Sequence, residues 1–305
     1  MRALLIVNPH ATATTERRRD LLSRALAGSM KLHIAHTEHR GHATELAAAA
    51  LTDGTRLVVV HGGDGTVNEV VNGLLSRGVT AKGPLLAVVP GGSTNVFARA
   101  VGIDPDPTAA TEQILEGLAR GRTRVVSLGL ADDRYFTFNA GLGLDAEVVK
   151  AVEEHRAGGR SISNSLHIRR AISTFFATDR AHPRLTVTAD GAVIDHVHVA
   201  LVSNVDPWTY AGRRPVRTNP GLPADRGLGL LAMRSLHTAT VLRVLWQLVM
   251  RGGGPASKHL VRVDDAVEIA VRADAPVALQ VDGDYLGDRT SVTFTSVPRA
   301  LRVVV

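Results

Sequence analysis

The sequence has no cysteine, which excludes disulfide staples, thiolate nucleophiles and cysteine-held metals and is neutral about compartment. Aromatic residues make up only 4% of the chain, too few for the base-stacking platforms of a nucleic-acid binder. No run of about 20 uncharged apolar residues occurs, the length that a membrane-spanning helix requires. The longest apolar stretch, residues 241–250, is broken by Arg243 and Gln247. The opening "MRALLIVNPH" has neither the long apolar region nor the small-residue cleavage site of a secretion signal, so it reads as a first strand. A cytoplasmic protein is the expectation.

What is present suits an ordinary globular chain. With 305 residues, 45% apolar and 21% charged, there is length for two domains, each with its own core. The net charge of +6 fits an anionic substrate or an anionic membrane surface.

To about Arg120 the chain alternates strand and helix signals. "ALLIV", "KLHIAHT", "LVVVHG" and "LLAVVPGG" are short apolar strands. Helical patterns cover residues 15–28, 42–51, 67–75, 95–101 and 108–120. Continuous apolar strands separated by helices predict a parallel sheet covered on both faces. From about Arg122 the pattern changes to strands joined by hairpin signals such as "ADG" and "VDGDY", interrupted by helical stretches at 161–176 and 238–250. The expectation is an α/β domain over residues 1–125 and a mostly antiparallel, β-sandwich-like domain over 126–297. A final strand within 298–305 returns to close the first of them.

Three loops fall at predicted strand ends: "NPHATATT" after the first, "GGDGT" after the third and "PGGSTN" after the fourth. In open parallel sheets, ligands sit beyond the carboxyl ends of the strands. "GGDGT" is neither of the two common nucleotide fingerprints. The glycine that a dinucleotide fold requires at position 68 is Asn68, and no Gly-Lys-Ser/Thr follows. Positions without side chains let backbone N–H groups approach phosphate oxygens, and a following helix start adds partial positive charge. A plain glycine turn with a surface carboxylate is the alternative and stays open on spacing alone. If phosphates bind here they repel Asp64 unless a metal ion lies between. Asp64 therefore reads as a carboxylate beside Mg²⁺, or as a base acting on an attacking hydroxyl.

Four segments in order, "VNPHAT", "GGDGTVNEVVNGL", "VVPGGSTNVFARAVGI" and "VDGDYLG", resemble the signatures of the diacylglycerol kinase catalytic family. That family includes sphingosine kinases and bacterial lipid kinases. "FNAGLGLDAEVV" is similar to the segment where the family crosses into its second domain. NAD kinases and phosphofructokinases share only the GGDGT element. The resemblance spans nearly the whole chain. It implies an ATP-dependent lipid kinase, with Mg²⁺ as cofactor, diacylglycerol as the foremost substrate and an active site in the cleft between two domains. It further implies ATP contacts from Asn8, Pro9, His10, Ala11, Thr12, Thr37, Gly63, Asp64, Gly65, Thr66, Val67, Asn68, Glu69 and Ser93. The acidic residue after Asp282-Gly283 is the implied general base; here it is Asp284, where the family has Glu, and Asp64 is the second candidate.

Departures from the pattern are specific. Ser93 stands where many members have Thr and keeps a hydroxyl, whereas Val96 stands where many have Asp and loses a carboxylate. Arg226 occupies a position where relatives have an Asp that helps to hold a structural Mg²⁺, with Asp225 one residue early; a cation cannot ligate Mg²⁺, which argues against that site here. The resemblance also implies a lipid substrate met at a membrane surface, peripheral attachment at the inner face and no nucleic-acid partner, and it leaves a homodimer open. An NAD kinase-like enzyme and a catalytically impaired nucleotide- or lipid-binding regulator are the alternatives.

Other features have blander readings. "GLGLDA" at 141–146 has a Rossmann-like spacing but no βαβ unit after it, which favours close packing. His196 and His198 are expected on one face of a strand without a third ligand nearby. Arg17, Arg18 and Arg19 read as a solvated helix face. "HIRRAISTFF" and "VLRVLWQLVM" have helical spacing; packing on a sheet is the default, and a membrane-facing surface is the sharper alternative.

Overall fold

The computed structural model describes residues 1–11, 16–80, 82–157, 179–212, 214–222, 225–250 and 254–305. The chain divides into two compact units, Met1–Leu128 with Pro298–Val305, and Gly129–Val297.

In the first unit the apolar runs pair in parallel, as buried strands with both faces covered do. Arg2–Val7 (β1) lies between Lys31–His36 (β2) and Leu57–Gly62 (β3), and Leu85–Pro90 (β4) follows β3. Val303, near the end of the chain, pairs in parallel with Leu86. The register decides what this sheet presents. Val7 lies opposite both His36 and His61, and Gly62 lies opposite Pro90, so all four strands end level.

Among the described residues, five helices connect and cover the strands: Glu16–Ala27 (α1), His42–Ala49 (α2), Asp64–Leu74 (α3), Val96–Ala100 (α4) and Pro107–Arg120 (α5). Leu22 and Leu26 of α1 and Ile114 of α5 join Leu5, Val7, Val59 and Val89 in one core. The start and stop of α5 are written locally. Asp106 accepts from the N–H groups of Thr108 and Ala109, Pro107 opens the helix, and Gly121 ends it in the left-handed region.

Within the second unit, Gly129–Val297, every recorded pairing is antiparallel. After Thr123–Ala131 (β5) and Arg134–Phe136 (β6), Asn139–Gly143 (β7) leads into Leu144–Ala157 (α6). Then come Leu185–Ala189 (β8), Ala192–Val197 (β9), Val199–Ser203 (β10), Thr209–Ala211 (β11), Arg214–Val216 (β12) and Leu228–Met233 (β13). Thr238–Met250 (α7), Leu260–Ala266 (β14), Glu268–Val281 (β15) and Asp284–Val304 (β16) follow, the last residues of β16 belonging to the first unit. The first half of β15 pairs with β8 and its second half with β7, with an irregular register between Arg272 and Val277. One long strand thus serves two sets of neighbours. Alternating inward residues such as Val187, Val202, Leu230, Ile269 and Phe294 fill the core between them, with Phe136 edge-on to Phe294.

One sequence expectation changes. His196 has a left-handed backbone, β9 ends at Val197 and β10 begins at Val199. The pair His196 and His198 therefore sits at a change of strand and does not share one strand face. The helix expected over 161–176 lies outside the described residues.

Candidate active site

Because β1 to β4 end level, the residues after them meet at one edge of the first unit. Asn8 fastens the first loop to the third: its N–H donates to the His61 carbonyl at 3.0 Å and its Nδ2 to Thr66 Oγ1 at 3.0 Å. Its Oδ1 accepts from the His10 N–H at 2.9 Å. Thr37 donates its N–H to the Val7 carbonyl at 2.9 Å. "GGDGT" and "PGGST" cross backbone against backbone. The Gly91 N–H donates to the Gly62 carbonyl at 2.8 Å. A Cβ added at Gly91 would lie 2.9 Å from Gly62 Cα, and one at Gly92 would lie 2.8 Å from Gly63 Cα. Gly62, Gly63, Gly91 and Gly92 therefore serve this loop-on-loop contact.

Gly65 is different. A Cβ there meets nothing within 4 Å and its backbone is not left-handed, so neither packing nor conformation requires a glycine. An alanine would stabilise a helix interior by about 1 kcal/mol more. What a side chain would occupy is the space over the start of α3.

That helix begins earlier than expected. The sequence placed it from residue 67, whereas Gly63 is the N-cap and Asp64 the first helical residue, with the Val67 N–H closing onto the Gly63 carbonyl at 3.1 Å. The first turn of any helix has N–H groups without intrahelical partners, and Gly63 has no side chain to cap them. The result, among the described residues, is a helix start with no side-chain cap from its N-cap residue and with a glycine-lined approach, the arrangement that favours anions.

Asp64 Oδ1 accepts from the Phe97 N–H at 3.3 Å, at the first turn of α4. Asn95 shapes the turn before it: left-handed at φ 49°, it accepts from the Gly92 N–H at 2.9 Å and donates to the Gly92 carbonyl at 2.8 Å. Ser93 is exposed in that loop, and Val96 is buried in the core.

The side chains of the remaining residues of the run also hold the scaffold behind the loop. Val67 and Asn68 are buried, and Asn68 accepts from Asn72. Both carboxylate oxygens of Glu69 accept from the start of α2, from the Gly41 N–H at 3.0 Å and the Ala43 N–H at 3.2 Å. Pro9, His10 and Ala11 lie in the first loop at the open edge. Thr12 lies outside the described residues, as do the side chains of Arg17, Arg18 and Arg19.

In the second unit, Asp282 and Gly283 join β15 to β16 with both residues in the left-handed region, at φ 48° and 82°. This is the two-residue hairpin turn that Asp-Gly prefers. The Asp282 side chain turns inward, and four groups donate to it: the Thr137 N–H and Oγ1–H at 2.7 Å each, the Phe138 N–H at 3.0 Å and the Asn139 N–H at 3.1 Å. Burial pushes this carboxyl above the ordinary range while the donated bonds pull it down. Asp284, immediately after the turn, is partly exposed, with Arg134 Nη2 3.8 Å from its Oδ2.

A polar network that the sequence reading missed lies under this turn. Gln280 accepts from the Gly283 N–H at 3.0 Å and donates to Asn139 Oδ1 at 3.0 Å and Asp145 Oδ2 at 2.9 Å. The available signal was a single polar residue inside each of two apolar strands, "FNAGLG" and "VALQVDG". Gly143, at φ 88°, packs so closely that a Cβ would lie 2.3 Å from the His198 carbonyl oxygen.

Burial pushes Asp145 up to about 6, against the bond from Gln280. The folded chain thus holds this proton more tightly than the unfolded chain does. Its contribution to stability is greatest below about pH 4 and falls as pH rises through 6. Part of Asp145 reaches solvent, so the expected loss is about 2 kcal/mol rather than the full linkage value. Asp145→Asn should flatten stability between pH 4 and 7, read as urea midpoints at the two pH values. An unchanged slope would contradict this account.

Arg226 Nη1 lies 3.7 Å from Asp265 Oδ2, and Asp265 Oδ1 accepts from the Gly227 N–H at 2.7 Å. Among the described residues no group of three His, Asp or Glu side chains gathers for a metal.

The sequence profile of the Diacylglycerol kinase catalytic domain matches residues 2–129. Over 292 residues the chain is 31% identical to a Streptococcus pneumoniae protein named "Putative lipid kinase", covering 93% of this chain and 91% of that one. It is 40% identical over 104 residues to the Diacylglycerol kinase of Bacillus subtilis, 34% of this chain and 32% of that protein. The crystal structure of a diacylglycerol kinase from Bacillus anthracis str. Sterne matches 99% of this chain and 96% of its own with a TM-score of 0.73. At 21% identity that likeness is one of fold.

Proposed function

Because the chain belongs to the diacylglycerol kinase catalytic-domain family, whose members are lipid kinases drawing on ATP as phosphate donor, we propose that it transfers the γ-phosphate of ATP to a lipid hydroxyl, with diacylglycerol the first substrate to test. The observation that carries this reading is the start of α3: a helix N-terminus with no side-chain cap from Gly63, open over Gly65, at the level edge of a parallel sheet. Phosphoryl transfer needs positioning and charge neutralisation more than covalent chemistry.

The first-turn N–H groups of α3 supply fixed donors to the phosphates, and Ser93 adds a hydroxyl at the same edge. Mg²⁺, when bound with the nucleotide, supplies neutralisation of the phosphate charge. Asp64 is the residue that would hold it, since a nucleotide-bound Mg²⁺ takes one or two protein carboxylates together with phosphate oxygens and water. Asp284 accepts the proton of the attacking hydroxyl, held in place by the Asp282-Gly283 turn and by Arg134.

On this reading Asp284→Asn lowers kcat by about 10²–10⁴-fold and leaves ATP affinity nearly unchanged. A large loss of ATP binding would move Asp284 out of the base role. Offering diacylglycerol and NAD in parallel, each with ATP, tests the reaction class. Phosphorylated diacylglycerol supports the proposal, and phosphorylated NAD alone overturns it. ATP binding without either product marks a regulator.

A further inference from the structure

The helix α7 of the second unit is apolar on two opposite sides. Val244 and Leu248 pack with Val199, Leu201, Leu231 and Met233 of β10 and β13, and buried Gln247 accepts from the Ala256 N–H at 2.8 Å. That is its core face. On the other side Leu242 is 62% exposed, Leu245 53%, Trp246 58%, Val249 44% and Met250 59%. Positions 242, 245, 246 and 249 recur at intervals of three and four, so these side chains form one stripe. They are half of the exposed large apolar side chains recorded among the described residues. Scattered exposed leucines are ordinary, but a contiguous patch of this kind marks an interaction surface.

Among the described residues, the charged side chains recorded on the helix or bonded to it are arginines. The helix has no acidic residue, and its one charged side chain, Arg243, lies on the exposed side. The Arg214 guanidinium lies 3.9 Å from Met250 Sδ, and Arg180 Nη1 lies 3.2 Å from Thr238 Oγ1. Asp179, beside Arg180, is engaged by His182 at 2.8 Å and Arg184 at 4.0 Å.

We propose that α7 is a docking helix that lies in the surface of an anionic bilayer. The apolar stripe with its tryptophan would enter the acyl boundary, and Arg243 and Arg214 would meet the lipid phosphates. Its 13 residues span about 20 Å, short of the roughly 30 Å hydrocarbon core, so the helix lies on the membrane and does not cross it. A second copy of the chain is the poorer occupant. A two-fold contact through this stripe would bring like arginines together with no carboxylate on the helix to pair them. The proposal rests on the lipid-kinase reading only for its purpose, since a substrate held in a bilayer is reached from the bilayer surface.

Co-sedimentation with vesicles tests it. The protein should bind vesicles of phosphatidylcholine and phosphatidylglycerol, and bind phosphatidylcholine alone at least tenfold more weakly. The triple variant Leu242→Ser, Leu245→Ser, Trp246→Ser should lose at least tenfold in affinity for the anionic vesicles. It should lose the same factor in phosphorylating vesicle-borne diacylglycerol, yet act normally on a short-chain diacylglycerol dissolved as monomer. Should that variant fail to fold, Arg243→Glu serves instead, and is expected to weaken binding to the anionic vesicles alone. Unchanged vesicle binding by the folded variant overturns the proposal. A dimer that the variant converts to monomer in sedimentation overturns it in favour of a second copy. If the protein binds vesicles through α7 but phosphorylates no lipid, the docking surface stands and the kinase reading falls.

Discussion

Asp64→Asn is expected to lower turnover by about 10³-fold or more, a barrier increase of about 4 kcal/mol, while leaving a folded protein. The side chain does two things that this substitution separates. Its Oδ1 accepts from the Phe97 N–H, a bond that an asparagine carbonyl can also accept, so α4 and the "PGGST" loop keep their anchor. Its negative charge is what a phosphate-bound cation or an attacking hydroxyl requires, and asparagine removes it. Thermal melting should therefore change little while kcat collapses. Asp64→Ala removes both, and should in addition destabilise by about 1 kcal/mol through the lost acceptor at the start of α4. Near-normal turnover by a folded Asp64→Asn chain would leave Asp64 a purely structural residue.

The largest expected effect on stability is at Asp282. Asp282→Ala leaves three backbone N–H groups and the Thr137 hydroxyl facing a void that the carboxylate now fills. Each unsatisfied buried donor costs about 1–3 kcal/mol. Even with water partly replacing the oxygens, a loss of about 4 kcal/mol or more is expected, a large share of a typical 5–15 kcal/mol total. Asp282→Asn is only partly conservative here. Turned toward Phe138 and Asn139 its NH₂ group meets two N–H donors; turned toward Thr137 it meets one, because the hydroxyl can rotate to accept. Its cost should fall between those of wild type and Asp282→Ala. Urea midpoints measure both. An Asp282→Ala chain as stable as wild type would show that these bonds contribute nothing net. Because the same turn places Asp284, turnover should fall with stability in this variant.

The parallel sheet was legible because β1, β3 and β4 are unbroken apolar runs, each followed by a helix. The hairpins at Asp190-Gly191 and Asp282-Gly283 were legible because Asp-Gly takes two left-handed positions readily, and α5 because its cap, first proline and final glycine are adjacent in sequence. What escaped the reading depends on distant partners. Gly91 and Gly92 look like phosphate-loop glycines until Gly62 and Gly63 are found against them. Gly63 and Gly65 look like a turn and are the cap and first turn of α3. Glu69 reads as a residue of the nucleotide loop, but its carboxylate reaches the start of α2, 28 residues away. The bonds joining Gln280, Asn139 and Asp145 span more than 130 positions. Period alone could not say which side of α7 is buried, because both sides are apolar.

The central claim is that the start of α3 and the carboxylates Asp64 and Asp284 serve phosphoryl transfer to a lipid. Incubation with γ-labelled ATP, Mg²⁺ and a total lipid extract, followed by identification of the labelled product, tests it most directly. The account predicts label in a lipid phosphomonoester, with diacylglycerol as its parent, and none with Asp64→Asn. Label absent from every lipid, with ATP bound or with NAD phosphorylated instead, would contradict it.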